Sequence, residues 1–296
     1  LGDVYKRQKY AQLRTKPDGK NKLTMKQLVP ILFFLLAVHP AAIYAQQKPR
    51  VPAVTLDALK HKDLSFLWVG PLPDLQNIDT TKLEWFDRWD PLGYIGKNYQ
   101  RFDIHIRSIC RSSTDSLRYE LTGFTRTGDN ICRFQGELHL DSITYSAPNY
   151  PDTDRWSSIY GGWRLIGSYT LREDLGQHGA GVLEGRHTID IATDSLGNIY
   201  YDTMFMVADG YSTNQWAGTW RCYETKAVKP CNWGDARIPD SEGPYGLDVG
   251  AGYFLPDDKY LRNGWQSYID AERWDDDETR AEARREESRR WWLFEW

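Results

Sequence analysis

Residues 99–223 alternate apolar and polar side chains with a period of two, in short runs rich in β-branched and aromatic residues. In the first run, Phe102, Ile104 and Ile106 alternate with polar neighbours, and Gly, Asn, Asp and Ser separate the runs. This alternation is typical of strands that bury one face. About seven such strands follow one another without the helical pattern that βαβ crossovers need. The pattern predicts a mostly β fold, an antiparallel up-and-down meander.

Glycine occurs inside several of these predicted strands. A glycine weakens a strand and often marks a sharp bend, which a sheet needs if it is to curl onto itself. Closure also removes the exposed edge strands that a flat sheet must protect. We therefore expect the meander to close into a barrel, with bends at Gly123, Gly136, Gly167, Gly185 and Gly218.

The segments on either side of this pattern differ in composition. Residues 46–98 are rich in Pro and Asp and are interpreted as an N-terminal extension. Residues 224–269 are rich in Pro and Gly and are interpreted as a long ordered loop. Residues 270–296 have a helical pattern whose acidic residues precede its arginines, an order that suits the helix dipole. We therefore expect an antiparallel β-barrel over 99–223 and a charged C-terminal helix over 270–296.

The first 45 residues carry two separate signals. Residues 1–24 form a Lys/Arg-rich stretch without apolar periodicity, and we interpret them as a non-native leader. Residues 25–45 combine a basic start, an apolar run and a terminal Ala45, as a secretory signal peptide does. The apolar run is shorter than the about 20 residues that span a membrane. We expect cleavage near Ala45, export to the periplasm or the cell exterior, and no transmembrane helix in the mature chain.

Charge limits the partners of this chain. The sequence holds 37 Lys+Arg and 41 Asp+Glu, a formal net charge of −4. Eight of those basic and two of those acidic residues lie in residues 1–45, so the remainder carries a net charge of −10. An acidic chain lacks the basic surface that binds a phosphate backbone. We therefore expect no nucleic-acid partner.

The expected export of the chain decides how its four cysteines are interpreted. In an oxidising space, an even number of cysteines favours disulfides. Of the three possible connectivities we prefer Cys110–Cys132 with Cys222–Cys231, because Cys222 and Cys231 are close in sequence and flank a loop with Pro230. The second pair would clip the Pro/Gly-rich loop. A zinc site is the alternative, although the sequence has no Cys-x-x-Cys pair and no His near these cysteines.

The motifs of common catalytic sites are missing from the sequence. It has no His-Glu-x-x-His, no Gly-x-Ser-x-Gly and no Gly-x-x-x-x-Gly-Lys-Ser/Thr. We therefore expect no metal, no cofactor and no catalytic residue. A carboxylate pair such as Glu173 and Glu184 would serve a hydrolase only if the fold set the two across a cleft.

Aromatic residues on the predicted strands are the strongest lead to a function. Trp and Tyr combine a large apolar ring with a polar tip, which suits the wall of a small-molecule pocket and stacking against sugar rings. His187 is in register with Leu183 and Ile189, so we expect it to point inward with them. Side chains that simply fill a small barrel are the alternative interpretation. The candidate ligand-binding residues are Trp163, Tyr169, His187, Tyr201, Trp216 and Trp220.

Two stretches resemble known proteins. Trp216-Ala217-Gly218-Thr219-Trp220 resembles the Gly-x-Trp strand motif of lipocalin- and avidin-like barrels, the calycin type, although in lipocalins the motif lies on the first strand and here it lies on the last predicted one. Residues 222–268 are similar to the tails of uncharacterised secreted bacterial proteins. The resemblance implies an exported protein with a calycin-like barrel.

These observations lead to three hypotheses. The first is an exported, non-catalytic β-barrel protein that binds a small apolar or carbohydrate ligand through inward Trp and Tyr residues. The second is a secreted glycan hydrolase with a carboxylate pair. The third is a structural or cell-surface interaction protein with a filled barrel.

Overall fold

The predicted leader over 1–24 and the predicted signal peptide over 25–45 lie outside the residues that the structure describes. Within the described residues, no helix is long and apolar enough to cross a membrane. The computed structural model describes residues 54–76, 83–146, 159–194, 196–243, 245–273 and 275–293.

Strands dominate the described residues, as the period-two pattern predicts. The α-helices among them are α1 (Leu56–Leu59), α2 (Gln266–Asp270) and α3 (Asp277–Glu287). Short 3-10 helices lie at Ser65–Leu67, Asp258–Asn263 and Trp291–Leu293. The strands are β1 (Leu72–Pro73), β2 (Trp85–Phe86), β3 (Leu92–Ile95), β4 (Gln100–Arg101), β5 (Asp103–Arg111), β6 (Arg118–Thr127), β7 (Asn130–Ser146), β8 (Ile159–Glu173), β9 (Gly181–Asp194), β10 (Ile199–Tyr201), β11 (Thr213–Cys222) and β12 (Val228–Asp235).

The strands from β3 to β12 form one antiparallel sheet that is strongly curled. Its order is β4-β3-β12-β11-β9-β8-β7-β6-β5, and β10 pairs with β9 beside this path. Strands that follow one another in sequence are therefore neighbours from β5 to β9 and again at β11 and β12. The predicted antiparallel meander is confirmed. β1 and β2 form a separate two-stranded sheet.

The chain between residues 100 and 111 takes part at both ends of this strand order. Its first part, β4, pairs with β3, and its second part, β5, pairs with β6. Between them, the Phe102 N–H donates to the Gly93 carbonyl over 2.9 Å. Only glycine allows this approach, because a Cβ at Gly93 would lie 2.7 Å from the Phe102 carbonyl oxygen. The curl therefore brings β3 into contact with the beginning of β5.

The curl gives the sheet an inner and an outer face, and the period of two divides the side chains between them. Leu171 and Leu183, which are opposite each other in β8 and β9, are fully buried on the inner face. Their burial contributes about 1.5–3 kcal/mol each. On the outer face, Arg221 and Glu184 form a half-exposed ion pair. The alternation in sequence thus predicts on which face of the sheet each side chain lies.

The sheet is wider than the predicted range of 99–223. β3 lies in the predicted N-terminal extension, and β12 lies in the predicted Pro/Gly-rich loop. Pro230 argues against a strand because it has no backbone N–H to donate. In the structure its carbonyl accepts from the Gly96 N–H over 2.7 Å, just beyond the end of β3. The proline therefore sits where the ladder is about to end, and a strand forms around it.

The predicted C-terminal helix is confirmed as α3, which is shorter than the predicted range of 270–296. The Asp276 carboxylate caps its first turn by accepting from the backbone N–H of Thr279 over 3.0 Å. At the other end, Arg101 of β4 donates two hydrogen bonds to the Glu287 carboxylate, over 2.7 and 2.8 Å. This bidentate pair fastens the helix to the sheet.

Residues 236–257 are held by an ion pair and by apolar packing. The Arg237 guanidinium donates to the Asp248 carboxylate over 2.6 Å, and both side chains are buried. Together with Trp265, the loop also packs against Tyr94 on the outer face of β3. We call the buried residues of this contact the C-terminal cluster; they are Tyr94, Ile238, Leu247, Phe254 and Trp265.

The preferred disulfides need correction, because the structure leaves all four cysteines unbonded. Cys110 is exposed on β5 and Cys132 is buried on β7, with β6 between them. Cys231 lies opposite Gly218, four residues along β11 from Cys222. Four residues of strand span about 13 Å, whereas disulfides join Cα atoms within about 7 Å. Strand register, which sequence separation does not reveal, keeps both pairs apart.

Candidate functional site

Three aromatic side chains meet on the inner face of the sheet. Trp216 of β11 lies directly opposite Trp233 of β12, and their rings stack with centroids 5.4 Å apart. The ring of Tyr169 on β8 stands edge-on, 5.0 Å from Trp216 and 5.2 Å from Trp233. All three are at most 3% exposed. Such ring contacts add about 0.5–1.5 kcal/mol each beyond burial, so they anchor the interior of the curled sheet.

Glycine at two inner positions makes room for Tyr169. Gly185 lies opposite Tyr169 in β9, and Gly218 lies opposite Gly185 in β11. A Cβ on Gly218 would lie 2.7 Å from the Tyr169 hydroxyl oxygen. The predicted bending glycines therefore also let the phenol ring reach across β9 to β11.

His187 lies beside this aromatic group. It is opposite Trp216 in the β9–β11 register, and the two ring centroids are 4.2 Å apart. The side chain is fully buried, as its register predicts. The Trp68 indole N–H donates to His187 Nε2 over 3.1 Å. Burial lowers the pKa of His187 to about 3, so the ring is neutral at pH 7. We call Trp68, Tyr169, His187, Trp216 and Trp233 the interior cluster.

Asn214 is a second polar neighbour of His187 in the interior cluster. The Trp216 indole N–H donates to Asn214 Oδ1 over 2.9 Å, and Asn214 Nδ2 donates to Asp235 over 3.1 Å, which fixes the orientation of the amide. His187 Nε2 faces both the Trp68 indole N–H, which can only donate, and Asn214 Oδ1, which lies 3.1 Å away and can only accept, so the two contacts favour opposite tautomers of the ring. Nδ1 is buried and has no partner among the described residues.

Asp235 is the buried acid of this network. It is 1% exposed, and its carboxylate accepts from the Tyr201 hydroxyl over 2.5 Å and from Asn214. Burial raises the pKa of Asp235, and the Arg88 guanidinium 3.4 Å away opposes that rise. Arg88 also lies over the Tyr201 ring, 4.9 Å from its centroid. A buried, hydrogen-bonded acid thus joins Tyr201 to the interior cluster.

Arg88 also holds the turn that carries Trp68. Its guanidinium donates to the carbonyls of Leu67 over 3.0 Å and Gly70 over 3.2 Å. Since the same group reaches Asp235, one arginine links the turn to the end of β12. Trp68 is not part of the large sheet, and its indole enters the inner face from this turn.

A second polar group lies around Glu173 at the end of β8. Its carboxylate accepts from the Trp220 indole N–H over 2.9 Å, from the Gly181 N–H over 2.7 Å and from the Thr125 hydroxyl. Burial raises the pKa of Glu173, and these hydrogen bonds oppose the rise. The Lys229 ammonium lies 5.5 Å from the Trp220 ring centroid. Trp220 is therefore hydrogen-bonded within this group and is not part of the interior cluster.

The carboxylate pair named for a hydrolase does not share a face. Glu173 is 5% exposed and points to the inner side. Glu184 lies on the outer side, where it accepts from Arg221 over 2.7 Å. Side chains on opposite faces of one sheet cannot flank a common substrate bond, so these two residues form no acid–base pair in this fold.

The structure brings together three of the six candidate ligand-binding residues. Tyr169, His187 and Trp216 are in ring contact, and Tyr201 joins them through Asp235 and Asn214. Trp220 lies with Glu173. Trp163 packs edge-on against Tyr145, with ring centroids 5.1 Å apart.

Sequence reasoning missed Trp68, Arg88, Asn214, Trp233 and Asp235. Trp68 and Arg88 fall in the segment interpreted as an extension, and they reach the site only through the tertiary fold. Trp233 and Asp235 fall in the segment interpreted as a loop. A usable signal existed there: Cys231, Trp233 and Asp235 repeat with the period of two that marks a strand.

Some buried side-chain polar atoms have no hydrogen-bond partner among the described residues. Buried polar groups nearly always have one, so each such atom requires an explanation. Three of them belong to candidate ligand-binding residues. The atoms are Trp89 Nε1, Trp163 Nε1, Tyr169 Oη, His187 Nδ1 and Arg237 Nε.

The described part of the chain holds no group of three or more His, Cys, Asp and Glu side chains placed to bind a metal. The site is therefore characterised by its aromatic rings and its hydrogen-bond donors and acceptors. No protein-family model, curated protein or solved structure matches the chain.

Proposed function

We propose that the protein is an exported, non-catalytic binding protein whose curled sheet closes into a calycin-type barrel. Its ligand is a small apolar or carbohydrate molecule held against the interior cluster. Closure is supported by residues 100–111, which pair with β3 at one end and with β6 at the other. The calycin comparison remains a resemblance of the Trp216–Trp220 stretch.

One observation carries the binding proposal. Tyr169 Oη and His187 Nδ1 lie in an aromatic wall, deeply buried, without a partner among the described residues. Leaving such groups unpaired costs about 1–3 kcal/mol each. A guest that presents a hydroxyl or carbonyl group between aromatic faces recovers that cost, which is how small-molecule sites are commonly built.

A second candidate function is favoured by a different observation. Trp216, Trp233 and Tyr169 are in mutual ring contact, and Trp68 closes on His187. Side chains that fill their own barrel are common in small barrels. A filled barrel would make the protein a structural or cell-surface interaction protein.

A ligand screen separates the two candidates. Intrinsic Trp fluorescence of the full chain is followed during titration with sugars, fatty acids and small aromatic compounds. We expect one class to change the emission, and we expect Tyr169→Phe to weaken that ligand at least fivefold. The matched control is Tyr94→Phe, which changes a buried tyrosine on the outer face. No response from any class, confirmed by calorimetry, supports the filled barrel and overturns the binding proposal.

Export and closure have tests of their own. When the chain from Met25 is expressed in a Gram-negative bacterium, we expect periplasmic protein that begins at Gln46. Full-length chain that stays in the cytoplasm contradicts export. For closure, hydrogen exchange at the Phe102 amide is expected to be as slow as in the central strands, because its bond to Gly93 joins β3 to β5. Fast exchange at Phe102 contradicts a closed barrel.

A further inference from the structure

The long strand β7 extends beyond its neighbour β6. The two strands are in register up to His139, and the Leu140 N–H donates to the Leu117 carbonyl over 2.9 Å just beyond that point. From Ser142 to Ser146, β7 continues in register with β8. On its other side, no described residue pairs with this stretch or forms a backbone hydrogen bond with it. We call residues 142–146 the open edge.

The composition of the open edge favours pairing with another strand. Its sequence is Ser-Ile-Thr-Tyr-Ser, without a charged residue or a proline. Sheet edges that stay unpaired are usually protected by lysine, by proline, by a bulge or by a covering segment. The register shift of β7 against β8 lies between Leu140 and Ser142, so the open edge itself is regular. Isoleucine, threonine and tyrosine all favour strands. The open edge therefore presents its free backbone groups in a form that another strand can use.

On the outer face, the row of side chains that ends at the open edge carries no net charge. Thr144 is exposed and lies opposite Arg164 of β8. The Arg164 guanidinium donates two hydrogen bonds to the Asp190 carboxylate, over 2.7 and 2.8 Å. Although the whole chain is acidic, charge at this row does not oppose contact with a second copy.

On the inner face, a row of apolar side chains ends at the open edge. Ile143 lies opposite Leu165, and Tyr145 lies opposite Trp163. The Tyr145 ring packs edge-on against the Trp163 ring, yet Tyr145 is 54% exposed. The apolar row therefore stops at an aromatic ring that is open to solvent on the side where the next strand would lie.

The open edge is complementary to itself. An antiparallel strand from a second copy, related by a two-fold axis at Thr144, places Thr144 opposite the same residue of that copy. Ile143 then lies opposite Tyr145, and Ser142 lies opposite Ser146. Thr–Thr pairs and pairs of an aromatic with a β-branched residue stabilise antiparallel strands. Such a contact uses one patch on both copies, as two-fold dimers do, and it covers each Tyr145 ring with the Ile143 side chain of the other copy.

We propose that the open edge is an interaction surface that pairs antiparallel with the open edge of a second copy of this chain, with Thr144 at the centre. A second copy is the occupant because the open edge matches itself at every position from 142 to 146. Five residues a side form a small contact, so the dimer dissociates on dilution. The inference goes beyond the proposed ligand-binding function and does not depend on it.

The test follows the mass of the full chain by analytical ultracentrifugation from micromolar to millimolar concentration. We expect a monomer that becomes a dimer as the concentration rises. Thr144→Lys places two like charges directly opposite each other at the two-fold axis, so we expect it to weaken the dimer by about tenfold or more. The matched control is Thr170→Lys, which adds the same charge to the outer face of β8 between β7 and β9. We expect this control to dimerise like the unmodified protein.

Mixing two variants tests the proposed register. Thr144→Glu alone is expected to weaken the dimer as Thr144→Lys does, because it also sets like charges opposite each other. In an equal mixture of the two, lysine faces glutamate, and we expect the dimer to return. A mixture that stays monomeric overturns the inference, as does a dimer that Thr144→Lys leaves unchanged. An unmodified protein that stays monomeric at millimolar concentration also overturns it.

Hydrogen exchange locates the contact on the chain. We expect the backbone amides of residues 142–146 to exchange more slowly as the protein concentration rises, since pairing with a second copy protects them. Protection that is the same at every concentration shows that one chain covers its own edge, and it overturns the inference. Thr144 lies on the outer face, away from the interior cluster, so the ligand screen and this test succeed or fail independently.

Discussion

The interior cluster and the C-terminal cluster are built from the same residue types but differ in their hydrogen bonds. In the C-terminal cluster, the Trp265 indole donates to the Tyr99 carbonyl over 2.8 Å, and the Tyr94 hydroxyl accepts from Asn232 over 2.9 Å. In the interior cluster, Tyr169 Oη and His187 Nδ1 have no partner among the described residues. Both clusters bury their rings to a similar degree.

Hydrogen bonding, not burial, distinguishes the two clusters. Burial and ring contacts alone assign both regions to the core, because both exclude water equally well. Only the count of donors and acceptors separates them. A core that serves stability alone pairs its polar atoms, as the C-terminal cluster does, whereas the interior cluster holds polar atoms without a partner among the described residues, which the proposed ligand would meet.

The largest expected effect tests what the two clusters share. Trp216→Ala and Trp265→Ala each remove a ring that is at most 1% exposed. We expect each to lower the free energy of unfolding by about 3–5 kcal/mol, through lost burial and an unfilled cavity. Urea unfolding measures both values. A loss below 1 kcal/mol for Trp216→Ala would show that the interior is loosely packed, and the two clusters would then differ in packing as well.

The next effect compares the arginines that hold the two regions. Arg237→Leu leaves the fully buried Asp248 carboxylate without its ion partner, and we expect a loss of about 3–5 kcal/mol. Asp248 keeps its bonds from the Gly250 and Leu255 N–H groups, as Asp235 keeps its bonds from Tyr201 and Asn214. The Arg88–Asp235 contact is longer, 3.4 Å against 2.6 Å, so we expect a smaller loss of about 1–2 kcal/mol for Arg88→Leu. The same unfolding experiment ranks the two. The reverse order would mean that Arg88 is the stronger anchor of the two.

A pH effect is expected from the interior cluster, since the C-terminal cluster contains no histidine. The pKa of His187 is about 3 in the folded chain and about 6.5 in the unfolded chain. Below pH 6.5 the His187 imidazole therefore binds a proton in the unfolded chain but not in the folded chain. The contribution of neutral His187 to the free energy of unfolding is fully present above pH 6.5. It falls by about 1.4 kcal/mol per pH unit towards pH 3.

The comparison with His187→Gln isolates this contribution from the buried acids Asp235 and Glu173. Between pH 7 and pH 5 we expect the unmodified protein to lose about 2 kcal/mol more than the variant. Identical pH profiles would mean that His187 accepts a proton in the folded chain, and the assigned neutral ring would be wrong.

The sequence anticipates part of this arrangement. Alternation over residues 99–223 predicts the meander and the inward position of His187, because a period of two is a local property of a strand. The partners of each strand are set by contacts distant in sequence. For this reason the sequence does not predict β12, which contains Pro230. Cys222 and Cys231 are close in sequence, but strand register holds them apart in space. Trp68 and Arg88 reach the site from outside the large sheet, which no local pattern reports.

The smallest expected change in stability concerns the unpaired hydroxyl of Tyr169. Tyr169→Phe and Tyr94→Phe each remove one buried hydroxyl, one without a described partner and one that accepts from Asn232. In ligand-free protein we expect Tyr169→Phe to change the free energy of unfolding by less than about 0.5 kcal/mol and Tyr94→Phe to lower it by about 1 kcal/mol. A loss of 1 kcal/mol or more for Tyr169→Phe would show that its hydroxyl already has a structural partner, and the interior cluster would then be an ordinary core.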